Sequence, residues 1–146
     1  SLPNVDGNCF WPANEILWNN KGIADSLRRH YHRYPALIPA YTHLHNRPPR
    51  EVSKLKAEWT ADGYILHWEA EQRATNPELA CYFVVYRFSP EEPVDLENPA
   101  KIAAICREPA YRLPYDKGKQ KYRYVVTAVD RFHNESIKGK SKKVKL

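Results

Sequence analysis

The sequence has no methionine, five glycines and three cysteines in 146 residues. Each shortage removes a class of chemistry. So few glycines leave no Gly-rich loop to cradle a phosphate, and no Gly-flanked serine elbow to present a hydrolase nucleophile. Cys9, Cys81 and Cys106 lack the paired spacing of a metal site and do not make a disulfide framework. One bridge, Cys81 to Cys106, stays open beside the alternative of small buried thiols. No apolar run approaches the ~20 residues of a membrane span. With no Met at Ser1 and no signal peptide, the chain reads as a piece of something longer, and the missing signal says nothing about location.

Proline and the aromatics are plentiful: 12 Pro, 10 Tyr and 4 Trp. Tyr and Trp suit half-buried strands and bring large apolar areas to a small core. Proline pre-sets turns and cannot donate to a sheet ladder, so it fits loops between short strands. The net charge of +6 is uneven. Residues 1–100 hold 10 basic and 13 acidic side chains, and residues 101–146 hold 13 and 4. The basic end culminates in Lys138, Lys140, Lys142, Lys143 and Lys145. Such a run attracts polyanions, but alternating lysines also keep an exposed edge strand soluble. The second reading is preferred, and no nucleic-acid partner is expected.

Two regions differ in character. In residues 1–50, Asn19 and Asn20 precede a helical pattern near 22–34, where Asn caps a helix start. Ile23, Leu27, Tyr31 and Tyr34 set an apolar stripe on it, and Pro35 stops it. The stretch from Pro35 to Pro49 should be extended and packed on a neighbour. Residues 51–146 alternate at period two. Strands are predicted near 53–59, 63–70, 80–88, 101–106, 110–113, 121–130 and 140–146. Leu55, Ala57 and Trp59 share a face, as do Tyr64, Leu66 and Trp68, then Tyr82, Val84 and Tyr86, then Tyr122, Tyr124, Val126 and Ala128. Asp62-Gly63 marks a tight turn. The expected fold is mainly β, a seven-stranded immunoglobulin-like sandwich after a short strand–helix segment and a proline-rich linker.

The segments Leu55-Lys56-Ala57, Tyr64 to Trp68, Tyr82 to Arg87 and Tyr122 to Asp130 resemble the fibronectin type III family. That resemblance places Trp68 in the core and gives Tyr122 a hydroxyl bond back to the backbone at a corner of the sandwich. The segment Asp130 to Ser136 is similar to the turn before the last strand in bacterial copies fused to carbohydrate-active enzymes. Trp11-Pro12-Ala13, the helix start Gly22 to Arg28 and the turn Tyr34 to Pro39 resemble the end of the barrel in bacterial glycosyl-hydrolase-like lipoproteins. The resemblance implies that residues 1–34 close a TIM-type barrel. It also implies an extracytoplasmic parent, periplasmic or at the cell surface, anchored by lipid and acting on polysaccharide or cell-wall glycan.

The residues themselves offer little catalysis. Glycoside hydrolysis usually needs two carboxylates flanking one bond. Glu15 stands alone, and Glu91, Glu92, Asp95 and Glu97 read as a solvated loop. His30 and His32 point to different sides of a helix. His43 and His45 can point one way, but two ligands do not make a zinc site. No catalytic residue, metal or cofactor is expected. Candidate glycan or domain-interface contacts are Trp11, Trp18, Tyr41, Tyr115 and Phe132. The expected role is a non-catalytic C-terminal accessory module that packs on and spaces the catalytic domain of its parent chain. The alternative is a carbohydrate-binding module using exposed aromatics.

Overall fold

The computed structural model describes residue 9 and residues 13–71 and 79–146. The chain divides into two compact units, Ser1–Pro35 and Ala36–Leu146. The second unit therefore contains the proline-rich stretch 36–50.

The described residues of the first unit form a series of short helical turns: α1 (Asn14–Leu17), a 3₁₀ turn (Asn20–Gly22), α2 (Ile23–Ser26) and a π-helical turn (Leu27–Tyr31). Asn19 precedes the 3₁₀ turn in the left-handed region, at a φ of 51°, and makes no side-chain cap bond to that turn; its side chain reaches Asp25 of α2 instead. Its Oδ1 accepts the Asp25 N–H at 3.2 Å, and its Nδ2 donates to Asp25 Oδ2 at 2.9 Å. The helical backbone ends at Tyr31 and bends through His32–Tyr34, because the residue before Pro35 is steered out of the helical region. Of the stripe, Ile23 and Leu27 are half-buried while Tyr31 and Tyr34 are exposed.

The described residues of the second unit form seven strands: β1 (Ser53–Thr60), β2 (Gly63–Glu69), β3 (Tyr82–Phe88), β4 (Ile102–Cys106), β5 (Ala110–Arg112), β6 (Lys121–Val129) and β7 (Lys140–Lys145). They form two antiparallel sheets, ordered β1-β2-β5 and β4-β3-β6-β7. Alternation explains the core. Leu66, Trp68, Phe83, Val85, Tyr124, Val126 and Ala128 meet in one apolar cluster, closed by Val52, Leu113, Val144 and Leu146. The Trp68 and Phe83 rings meet edge to face at 5.3 Å.

The larger sheet is covered on both faces. Val84, Tyr86, Phe88, Val125 and Val129 build a second cluster on its outer side, packed by Leu37, Leu96 and Ile102. Tyr82, Val84 and Tyr86 do share a face, but it is this outer one; Phe83 and Val85 point into the main core. A strand buried on both sides reads as a continuous apolar run, which is what Tyr82 to Phe88 shows.

Tyr122 packs half-buried against the main core, with the Arg87 guanidinium 5.0 Å over its ring. Its hydroxyl donates to the Gln120 side chain, which differs from the backbone acceptor that the resemblance implies. The Gln120 backbone is engaged with Leu146 in both directions, at 2.9 and 2.7 Å. Its side chain, two residues back, is left within the phenol's reach.

The β6–β7 loop is held by the buried carboxylate of Asp130. Its Oδ1 accepts from the Phe132 and Asn134 N–H groups at 2.8 and 2.9 Å, and its Oδ2 accepts from Asn134 Nδ2 at 2.8 Å. Asn134 Nδ2 also donates to the His45 carbonyl at 3.0 Å, which ties the proline-rich stretch to the loop. His133 takes the left-handed φ of 65° that this tight turn requires.

Three stability predictions follow from this packing. A Cβ on Gly139 would collide with Val125 Cγ1 and crowd the Val126 carbonyl at 3.1 Å, so Gly139→Ala should cost about 1–3 kcal/mol in denaturant melts. Asp130→Ala removes the acceptor of the Phe132 and Asn134 N–H groups and one of the two acceptors of Asn134 Nδ2, and should cost about 3 kcal/mol by the same measurement. The third prediction concerns alkali. Burial, with Glu108 adding, pushes the Cys106 thiol from 9.0 up to about 11. Burial, with Tyr111 adding and Arg87 opposing, pushes the Tyr124 hydroxyl from 10.0 up to about 12. Burial and Glu135 raise Tyr82 and Tyr86 as well. All four keep their protons in the fold at a pH where the unfolded chain has lost them. Their contribution is complete below about pH 9 and is lost as pH rises towards about 12. The denaturant midpoint should fall steadily over that window, and a flat midpoint would contradict the assignment.

Candidate functional site

The second unit carries a groove of about 570 Å³. Its walls come from the start of the proline-rich stretch (Leu37, Ile38), the start of β3 (Cys81, Tyr82), the end of β4 (Ile105, Cys106, Arg107) and the β6–β7 loop (Arg131, His133). Ile38 and Ile105 present about half of their surface to solvent. Cys81 and Cys106 both line the groove and are unpaired thiols. The raised Cys106 thiol is a poor nucleophile at neutral pH, because the thiolate is the reactive form.

Behind the groove lies a polar and aromatic network. Tyr82 Oη and His133 Nδ1 share a hydrogen bond of 3.2 Å. Glu135 Oε1 accepts from Tyr86 Oη at 2.8 Å and from Thr127 Oγ1 at 2.5 Å. The Tyr41 N–H donates to the Phe132 carbonyl at 2.8 Å, and the Tyr41 ring meets His133 edge-on at 5.3 Å. Two of the sequence candidates, Tyr41 and Phe132, are thus brought together where the proline-rich stretch crosses the β6–β7 loop. The neighbouring histidines go to different rings, His43 to Tyr41 and His45 to Phe132. Among the described residues, no three His, Cys, Asp or Glu side chains are grouped to hold a metal ion.

Tyr115 belongs to a second aromatic group. Trp59 stacks on Tyr64 with centroids 5.0 Å apart and planes 19° from parallel, and Tyr115 meets Trp59 edge-on at 4.8 Å. Trp59 is 61% exposed and Tyr115 47%. Alternation puts Trp59 on one face with Leu55 and Ala57, which pack against the main core cluster, whereas Trp59 lies outside it. Trp59 pairs with Tyr64 in the last rungs of the β1–β2 ladder, beside the turn at Thr60–Gly63. The signal available was its position one residue before a turn. Trp18 is 70% exposed at the end of α1 in the first unit. Trp11 lies outside the described residues.

The acidic side chains are taken up locally. Glu15 accepts from Asn20 Nδ2 at 2.9 Å. Glu91 pairs with Lys143 at 2.9 Å, and that partner lowers its carboxyl below the ordinary range. Glu92 pairs with Lys101, which lowers it likewise, and accepts the Ser89 N–H at 3.0 Å. Asp95 accepts the Glu97 N–H at 3.1 Å. The lysines of β7 form the outer strand of the four-stranded sheet, with Lys145 opposite Lys121 and Lys143 opposite Arg123.

Comparison with known proteins gives a limited result. No protein-family profile matches the chain. Along 144 residues, 95% of its length, it is 26% identical to the glycosyl hydrolase YngK of Bacillus subtilis, and this stretch spans 27% of that protein. Among solved structures, the spore cortex lytic enzyme SleM of Clostridium perfringens aligns with 68% of the chain and 29% of its own, at 16% identity and a TM-score of 0.44. The chain is thus mainly β, with two antiparallel sheets of seven strands in all and a short helical segment among the described residues, and is distantly similar to about a quarter of a glycosyl hydrolase.

Proposed function

We propose that this chain is a non-catalytic accessory module of a glycoside-hydrolase-like protein that acts on polysaccharide or cell-wall glycan. Its sandwich is read as the fibronectin type III kind. What supports the fold assignment is the division into three and four strands, with Trp68 of the second strand buried against Phe83 of the third. The observation that carries the functional reading is the reach of the similarity: nearly all of this chain, and only 27% of the hydrolase. The greater part of such an enzyme lies outside the matched stretch. The acidic loop supports the same reading, because Glu91, Glu92 and Asp95 are engaged in ion pairs and turns, whereas glycoside hydrolysis needs two carboxylates facing one bond.

The groove walled by Ile38, Ile105 and Arg107 is the surface assigned to packing on the catalytic domain. Two half-exposed isoleucines rimmed by arginines suit an interface with an apolar centre and a charged edge. An extracytoplasmic, lipid-anchored parent belongs to the same proposal, since insoluble wall glycan is met there. No helix among the described residues is long and apolar enough to cross a membrane.

The test is made in the parent hydrolase. Ile38→Asp with Ile105→Asp should leave the module folded by circular dichroism. It should also split the parent's single thermal transition in two and lower its turnover of insoluble glycan several-fold. One unchanged transition with unchanged turnover would overturn the packing role.

A further inference from the structure

We infer that Trp59, Tyr64 and Tyr115 form a saccharide platform that takes a pyranose ring of an uncharged glycan, an inference that rests on the glycan reading above. The indole of Trp59 is mostly exposed, yet it is held in place from two sides. Tyr64 lies nearly parallel to it at 5.0 Å, and the edge of Tyr115 closes in at 4.8 Å. A ring braced in this way loses little conformational freedom when a ligand arrives.

Its chemistry suits a sugar. The C–H-bearing face of a pyranose is apolar and matches a flat π surface, while the hydroxyls at the ring edge need polar partners. The polar partners are nearby in the chain. Thr60 and the exposed Asp62 form the turn that follows Trp59, with Thr60 Oγ1 accepting the Asp62 N–H at 3.2 Å. Asp116 follows Tyr115 in its loop and pairs with Lys119 at 3.2 Å, both groups being open to water.

Size separates this patch from a domain interface. Each aromatic buries about 150–250 Å² when fully covered, and these three already use part of that area on one another. They fall well short of the roughly 800 Å² per partner of a stable protein interface. Polar and charged residues adjoin the patch in sequence: Glu58, Thr60 and Asp62 around Trp59, and Asp116, Lys117 and Lys119 after Tyr115.

The experiment is calorimetric titration of the whole chain with cellohexaose and with chitohexaose, at low and high salt. Binding of at least one oligomer that survives high salt is expected. Trp59→Ala and Tyr115→Ala should each weaken it about tenfold or more, as loss of a stacking ring does. Trp59→Phe should retain most of it. The far-ultraviolet spectrum of each variant checks the fold. No binding of either oligomer, or equal binding by wild type and Trp59→Ala, overturns the platform. Binding abolished by salt also overturns it, because stacking on an uncharged sugar is not screened. Chromatography of the recovered sugar separates the two readings: a shortened oligomer sinks the accessory assignment, whatever the platform does.

Discussion

The structure of the sandwich unit depends on burying both faces of the β3–β6 pair. Phe83, Val85, Tyr124 and Val126 face the three-stranded sheet, while Val84, Tyr86, Val125 and Val129 face outward. At roughly 25 cal/mol per Å² of apolar surface removed from water, an uncovered outer face would forfeit much of the driving force for folding. Something must therefore lie over it. Leu37 from the proline-rich stretch and Leu96 from the acidic loop supply that cover.

This requirement places the other features. The proline-rich stretch runs beside the sheet because Leu37 is needed there, and it is stitched down by Tyr41 on Phe132 and by Asn134 on the His45 carbonyl. The β6–β7 loop that receives those bonds is shaped by Asp130, so one buried carboxylate sets the position of both Arg131 and His133 on the groove. The acidic loop is drawn in by Leu96 and by the pairs Glu92–Lys101 and Glu91–Lys143. Its carboxylates serve structure for that reason. The Trp59 platform arises at the end of the β1–β2 ladder, where Tyr64 still packs against the main core cluster and Trp59 does not.

Much of the fold was legible in advance because its signals are local. Period-two alternation at Tyr64, Leu66 and Trp68, and again at Tyr124, Val126 and Ala128, marks strands whatever they pack against. The Asp62-Gly63 turn between β1 and β2 was equally plain, with Gly63 at a φ of 113°. The site was less legible. Tyr41 and Phe132 are 91 positions apart and meet through a backbone hydrogen bond that no spacing announces. Trp59 fits the alternation of β1 with Leu55 and Ala57, and alternation does not tell where along a strand the core ends.

The sequence by itself determined the strands, their order of polar and apolar positions and the absence of a membrane-length apolar run. Those properties follow from residue type and near neighbours, through backbone preference and alternation. Only the tertiary structure decided which face of β3 looks inward, where Tyr122 sends its hydroxyl, and which aromatics stay in water. Those outcomes depend on where one sheet ends relative to the other and on what crosses its back. Both are set by contacts between residues far apart in the chain, and such contacts leave no periodic trace in the sequence.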